Sequence, residues 1–491
     1  MEVGKIHVLV FPWLAFGHMI PFVELSKHLA KRGHHVTFVS TPRNIERLPK
    51  FPHDLAPNIN LVKLTLPHVD GLPENAEATM DIPPEKIQYL KKAMDGLEQP
   101  MSVLVEDIVP DWIIHDFCHH WIPVVASKFG IPCAYFSVFS ATSHVIMGGP
   151  PSALLAKDAW TVPDQLTSPR PWVPFPTEVV YRHHEAVMLS YAGQPNVTGL
   201  SDPNRIGLTV QRCDMFSLRS CNEFEADWLS LLGELYQKPV IAMGTMPPLV
   251  PEISTDVEEH VVKMWLDKQA NGSTVYIAFG SEVRLSKEQW HELALGLEIS
   301  QLPFVWALRC AADEPELLPE GFEERTKDRG VVHKGWVPQL TILAHSSVGG
   351  FLTHGGWGSV NEGLAFGKPL IVFPVMVDQG LNARVVGERE IGAEVPRNEW
   401  DGSFDRDAVA KIMRLVMVDV EGEKFRGNAM AMKEIFGDHT LQDHYMDDFV
   451  GYLKDHKRQS GPLVPRVIES SPSLVSNPVT NHPLMSQLSD S

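Results

Sequence analysis

The sequence predicts an α/β protein built as two doubly wound parallel-sheet halves that face a cleft. Three observations carry this. At 491 residues the chain is long enough for two domains. It opens with an apolar run, a helical stretch and a second apolar run, the order of a βαβ unit, which calls for a parallel sheet with helices on both faces. After a proline-rich stretch near residue 245 the same alternation starts again.

Taken in order, residues 6–11 (IHVLVF) form a compact apolar run of buried-strand length. The loop PWLAFG follows. From His18 to Arg32, Phe22, Leu25 and Leu29 share one helical face, with Pro21 placed in the first turn and Gly33 as the C-terminal stop. HVTFVS (35–40) is the next strand, WIIHD (112–116) is a strand ending in an acid, and IPCAYFS (131–137) is another. Residues 140–235 look less regular and are expected to supply substrate-shaping loops. MGTMPPLVPE (243–252) reads as a linker, because its prolines interrupt helix and sheet alike. Beyond it, 273–281, 304–309, 349–356 and 369–375 are strand-like. The expected division is 1–242, linker 243–252 and 253–456, with the last helix packing back on the first half. Residues 457–491 are rich in Ser, Pro and Asn without periodicity, the composition of a disordered tail.

Composition excludes several roles. Lys and Arg number 42 against 61 Asp and Glu, a net charge of -19, which disfavours a nucleic-acid partner. The five cysteines are widely spaced with no C-x-x-C, so neither a disulfide framework nor a zinc site is expected and a cytoplasmic location fits. The N-terminal apolar run is too short for a signal peptide, and no stretch is long enough to span a bilayer. Asn196-Val197-Thr198 and Asn271-Gly272-Ser273 match the glycosylation pattern, which a cytoplasmic chain leaves unused.

The stretch THGGWGSVNEG (353–363) carries the first chemistry. Gly355 and Gly356 permit a sharp turn and close approach of a ligand to the backbone. The helix expected from Trp357 presents free N–H groups and partial positive charge to an anion. Ser359 can donate to a phosphate oxygen, and Glu362 lies one turn further on. On these residues alone, a plain strand–helix turn with an N-capping Ser explains the pattern better.

The longer window changes that balance. From Trp336 to Gln379 the 44 residues carry W-x-P-Q at the start, H-x-G-W near the middle, an acid after it and D-Q at the end. This resembles the signature box of plant family-1 UDP-glycosyltransferases. The resemblance extends to about residue 456, through VYIAFGS, the early FGH and the strand-ending Asp116. It implies two Rossmann-like domains of GT-B type. It also implies that Trp336 stacks on uracil and that Gln339 bonds near the base and ribose. Ser281, His354 and Ser359 would meet the phosphates, Trp357 would wall the diphosphate and sugar, and Glu362 would take the ribose hydroxyls. Asp378 and Gln379 would hold the transferred sugar, while Val337, Gly356 and Gly358 fall along the same donor-binding segments. The family commonly has Asn where this chain has Gly358, and Asn361, three positions on, is a candidate to replace the lost contact.

On the other half, His18 stands where the first loop gives way to a helix, whose N-terminus favours a neutral, proton-accepting imidazole. A carboxylate such as Asp116 would fix its tautomer and stabilise the cation formed in reaction. Alone, such a His is more often structural; the resemblance implies a His–Asp dyad. His115, His119 and His120 surround Asp116 but match no zinc spacing. Asp405 and Asp407 have the spacing of a metal-binding pair, yet they also open a helix. No metal or other cofactor is expected.

The implied reaction is a one-step inverting transfer from a UDP-sugar, with His18 as general base and UDP as leaving group. The segments 11–22, 38–49, 396–409, 413–419 and 442–454 look like the plant subgroup numbered 91. That likeness implies extension of an existing sugar on a steroid, triterpenoid, other terpenoid or flavonoid glycoside. Asp378-Gln379 suits UDP-glucose, and UDP-rhamnose stays open. A monomer is expected. Two rival readings are a non-catalytic UDP-sugar-binding protein and a UDP-sugar epimerase or hydrolase on the same fold.

Overall fold

A computed structural model describes residues 4–247, 249–250, 257–308, 317–335 and 337–458. The first half is a seven-stranded parallel sheet of β1 (His7–Phe11), β2 (His35–Ser40), β3 (Ile59–Lys63), β4 (Trp112–His115), β5 (Cys133–Ser137), β6 (Met215–Leu218) and β7 (Val240–Ala242), ordered β3-β2-β1-β4-β5-β6-β7. The second is six-stranded, with β8 (Thr274–Ala278), β9 (Phe304–Leu308), β10 (Gly330–Lys334), β11 (Val348–Thr353), β12 (Leu370–Val372) and β13 (Gly392–Glu394), ordered β10-β9-β8-β11-β12-β13. All neighbours run parallel. Parallel strands covered on both faces must be apolar throughout. Thus β5 and β8 are buried at every position, whereas edge strand β3 exposes Asn60, Leu61 and Lys63.

Strand order reverses between β1 and β4 in one sheet and between β8 and β11 in the other. The loops leaving such paired strands diverge and open a crevice at their carboxyl ends, where ligands of doubly wound sheets gather. Each half therefore has one such crevice.

The main helices are α1 (Phe16–Lys31), α2 (His183–Ala192), α3 (Asp202–Arg212), α4 (Asn222–Tyr236), α5 (Trp357–Ala365), α6 (Gln379–Glu388), α7 (Arg406–Met417) and α8 (His439–Asp455). Helix α1 begins two residues before the expected start, because the Ala15 carbonyl already accepts the N–H groups of His18 and Met19. Pro21 consequently lies in the second turn, and it cannot supply the N–H that the Gly17 carbonyl would otherwise receive. The region 140–235 holds α2, α3, α4 and β6 and is more regular than expected. Several of its helices are short and open on Pro, which is tolerated in a first turn.

The two halves are tied together at several places. Met446, Phe449, Val450 and Leu453 of α8 join the core of the first sheet beside Val8, Phe22, Phe38 and Trp112. The Trp112 indole donates to the Leu453 carbonyl at 2.8 Å, and Arg32 reaches Asp443 and Asp447 at 3.1 and 2.6 Å. Between β7 and the second half, Arg219 donates to the carbonyls of Thr245 and Met246, while Gln442 of α8 accepts from the Thr245 N–H. The expected linker thus has its described first residues clamped. Residues 251–256, Cys310, Trp336 and the tail from 459 lie outside the described residues.

Because Phe449 is fully buried at this junction, Phe449→Ala is expected to destabilise the protein by about 3–5 kcal/mol, read as a lower midpoint in urea unfolding. An unchanged midpoint would show that α8 contributes nothing to the first half.

Candidate active site

Asp116 directly follows β4 and His18 lies in the first turn of α1, which follows β1. The reversal point of the first sheet therefore brings them together. His18 Nδ1 donates to Asp116 Oδ2 at 2.7 Å. The same oxygen accepts the Trp13 N–H at 3.1 Å, and Oδ1 accepts the Phe117 N–H at 2.7 Å. Burial pushes the Asp116 carboxyl up, but the His18 charge and hydrogen bond, His119 and the Phe117 N–H together hold it below its usual value. With Nδ1 engaged, Nε2 is the nitrogen left for a substrate. The ring is clasped by Phe117 and Phe139, each 5.7 Å away between centroids, and its side chain stays 14% exposed.

The second sheet's reversal point assembles a different surface. Gly280 after β8 and Gly355 after β11 both have positive φ, +71° and +80°. The His354 ring fills the space beside them: a Cβ on Gly280 would lie 2.9 Å from it, and one on Gly356 2.7 Å. Burial lowers the His354 imidazole to about 4, so it is neutral and a hydrogen-bond donor at physiological pH. Gly356 is the N-cap of α5, and no side chain caps that helix start. The plain-turn alternative needed Ser359 as the cap, and Ser359 instead stands inside the first turn. Uncapped N–H groups, a neutral imidazole and two serines make a cradle suited to an anion. Ser281 lies at its edge, where its hydroxyl reaches Glu282 at 3.5 Å, and Thr79 of the first half also donates to Glu282 at 2.8 Å.

Further along, Gln339 donates to Glu362 at 2.5 Å and accepts from the Tyr276 hydroxyl at 3.2 Å. Burial raises the Glu362 carboxyl despite Gln339 and the Arg219 charge. Val337 beside them is 5% exposed. Asp378 and Gln379 lie at the start of α6. Gln379 Oε1 accepts the N–H groups of Val375 and Met376, which leaves its amide nitrogen as the donor it can offer a ligand. Burial lifts Asp378 to about 6, against its hydrogen bond from Asn382, a backbone N–H and the His18 charge.

Comparison with known proteins gives the chain that carries these two surfaces a family. UDP-glycosyltransferase 91C1 of Arabidopsis thaliana is 47% identical over 449 residues, 91% of this chain and 96% of the relative. Residues 245–453 match the family described as UDP-glucoronosyl and UDP-glucosyl transferase. The chain belongs to this family. It is a UDP-glycosyltransferase. Soyasaponin III rhamnosyltransferase of Glycine max is 42% identical, covering 92% of this chain and 96% of that one. The crystal structure of Arabidopsis thaliana UGT89C1 complexed with UDP-L-rhamnose superimposes with a TM-score of 0.69 at 26% identity, covering 92% and 99% of the two chains.

Within this glycosyltransferase, some expected residues have partners in the chain itself. Trp357 is 3% exposed, packs on Phe224 and donates its indole N–H to the Arg219 carbonyl at 2.7 Å, which joins the two halves. Asn361 is 1% exposed, and its amide donates one turn back to the Trp357 carbonyl, as a helical amide four residues on readily does. Gly358 itself faces open space, with nothing within 4 Å of an added Cβ. Trp336, expected under the uracil, lies outside the described residues.

His115 and His119 are buried behind Asp116, and among the described residues no cluster has the makings of a metal site. Asp405 caps α7 by accepting the Ala408 N–H at 2.8 Å. Cys118, Cys133, Cys213 and Cys221 are unpaired and buried. No described helix is long and apolar enough to cross a membrane. The sequence reading missed Arg219 and Asn382. The first ends a strand that was not recognised, whereas the second sits four residues after Asp378, a helical spacing that was legible.

A Cβ on Gly355 would lie 2.5 Å from Val372 at a φ that L-residues avoid. Gly355→Ala is expected to lower stability by about 1–3 kcal/mol and to weaken UDP binding, read by calorimetric titration. Wild-type UDP affinity in this variant would remove the loop from the donor site.

Proposed function

We propose that this UDP-glycosyltransferase performs an inverting transfer of glucose or rhamnose to a hydroxyl of a sugar already present on a plant triterpenoid, steroid or flavonoid glycoside. The observation that carries the mechanism is the His18–Asp116 pair, buried at the reversal point of one sheet and opposed by the anion cradle of the other. His18 Nε2 takes the proton from the acceptor hydroxyl as that oxygen attacks the anomeric carbon. The bond to the diphosphate breaks, and UDP departs from the opposite face. Asp116 keeps the proton on Nδ1 beforehand and stabilises the imidazolium afterwards. The charge that develops on UDP meets the α5 N-terminus, His354, Ser359 and Ser281. Glu362 and Gln339 are placed to take the ribose, and Asp378 with the amide of Gln379 the sugar.

In this reading no metal takes part. The acids that might have held one have a helix-opening role instead, since Asp405 is a cap. Base and donor loops come from one chain, so a monomer suffices. Support for a glycoside acceptor comes from the soyasaponin rhamnosyltransferase at 42% identity, and support for rhamnose also from UGT89C1, crystallised with UDP-L-rhamnose.

Incubation with UDP-glucose and with UDP-rhamnose against triterpenoid, steroid and flavonoid monoglucosides, read by mass, decides donor and acceptor together. The expected product gains one hexose or one deoxyhexose. In the productive pair, His18→Ala is expected to lower kcat by roughly 10²–10⁴-fold with donor affinity retained. Undiminished turnover in that variant would end the general-base reading.

A further inference from the structure

Asn382 stands on α6, one turn after Asp378, and is 1% exposed. Its Nδ2 donates to Asp378 Oδ2 and to the Gly355 carbonyl, each at 2.9 Å. Its Oδ1 faces a hydroxyl pair of the opposite half: Ser140 donates to Ser143 at 2.8 Å, and Ser143 donates on to Asn382 Oδ1 at 3.4 Å, with the Ser140 oxygen 3.3 Å from that acceptor. Both amide donors are engaged, and the carbonyl end takes a proton from the serine pair. Ser140 directly follows Phe139, whose ring stands edge-on to His18. One amide therefore touches the carboxylate at the start of α6, the loop carrying the anion cradle, and the segment that walls the imidazole.

We propose that Asn382 is the positioning residue of the sugar subsite: it aims the Asp378 carboxylate, and the Ser140–Ser143 hydroxyl pair of the other half holds the amide in that place. The inference rests on the reading that Asp378 binds the transferred sugar. An amide turned end for end would present its carbonyl to the carboxylate, two acceptors face to face. The Asp378 carboxylate and the Gly355 carbonyl, which can only accept, prevent that flip, and the serine hydroxyls turn to meet Oδ1. Joining the halves thus completes the hydrogen bonding of an amide inside the donor site, with Asp378 Oδ2 engaged and Oδ1 left for a ligand.

Burial without donors would favour the protonated carboxyl, and the Asn382 N–H opposes this. The other groups facing Asp378 are His18 of α1, whose charge favours ionisation, and Tyr181, a buried phenol just before α2. Removing the Asn382 donor therefore raises the pH at which Asp378 takes up its proton. Sugar binding that needs the carboxylate is present above that pH and is lost as pH falls through it.

The test measures affinity for UDP-glucose, UDP-rhamnose and UDP by calorimetry between about pH 5 and 8. UDP lacks the sugar and reports the Gly355 loop alone. In the wild type the sugar-dependent part of the affinity is expected to fall as pH drops through about 6, the value at Asp378. Asn382→Leu keeps the volume and removes the donors. It should weaken UDP-sugar binding at neutral pH roughly 10–100-fold, UDP much less, and move the pH midpoint upward by about one pH unit. Ser140→Ala with Ser143→Ala should move the midpoint the same way by less.

Equal losses for UDP and UDP-sugar with an unmoved midpoint would overturn the proposal, since they describe a merely structural amide. Should Asn382→Leu fail to fold, the double serine variant decides, and an unmoved midpoint there is equally fatal. Asp378→Asn separates the two layers: if it keeps the sugar-dependent, pH-dependent affinity, the assignment of Asp378 to the sugar is what has failed.

Discussion

An ionised carboxylate persists in a dry interior only when hydrogen-bond donors occupy its lone pairs. Asp116 meets the condition with two backbone N–H groups and the imidazole of His18. Much of the first half serves this requirement. The loop after β1 must turn tightly to present the Trp13 N–H, α1 must begin early enough to place His18 in its first turn, and β4 must end at His115. The pair forms because two neighbouring strands send their chains in opposite directions at that point. A topological feature of the sheet becomes a chemical one.

The second half solves a different problem, the binding of an anion by a chain carrying 19 excess negative charges. Among the described residues, the groups gathered at the start of α5 are backbone N–H groups, two serines and an imidazole kept neutral by burial, which offer partial rather than formal positive charge. The surfaces must face one another, and that depends on glue remote from both: α8 on the first sheet, Arg219 on the linker carbonyls, and the indole of Trp357 on the Arg219 carbonyl.

What the sequence disclosed follows from this division. The apolar central strands were legible because burial on both faces leaves no alternation to confuse them. Their edge partners were not: β3 and β13 are short and mix Asn, Lys, Gly and Glu with apolar residues. The dyad was legible only through the family resemblance, because nothing local says that the loop after β1 and the end of β4, about a hundred residues apart in the chain, lie side by side. The contacts of Trp357 with the other half were not legible, because a tryptophan beside a ligand loop looks the same in one dimension whatever it packs on. The burial of Asn361 was not legible either, since spacing along a helix does not say which face looks inward. Asn382 has partners 242 and 239 residues away, and no local pattern reports that.

The three glycines around the start of α5 differ in what surrounds them. Gly355 and Gly356 are hemmed in by Val372 and His354, whereas Gly358 borders free space. Two of them are fixed by geometry and resist drift. The third has room for a Cβ in the first turn of α5. A side chain can therefore be added at that one codon without a clash at its first carbon, while its two neighbours hold the loop's shape.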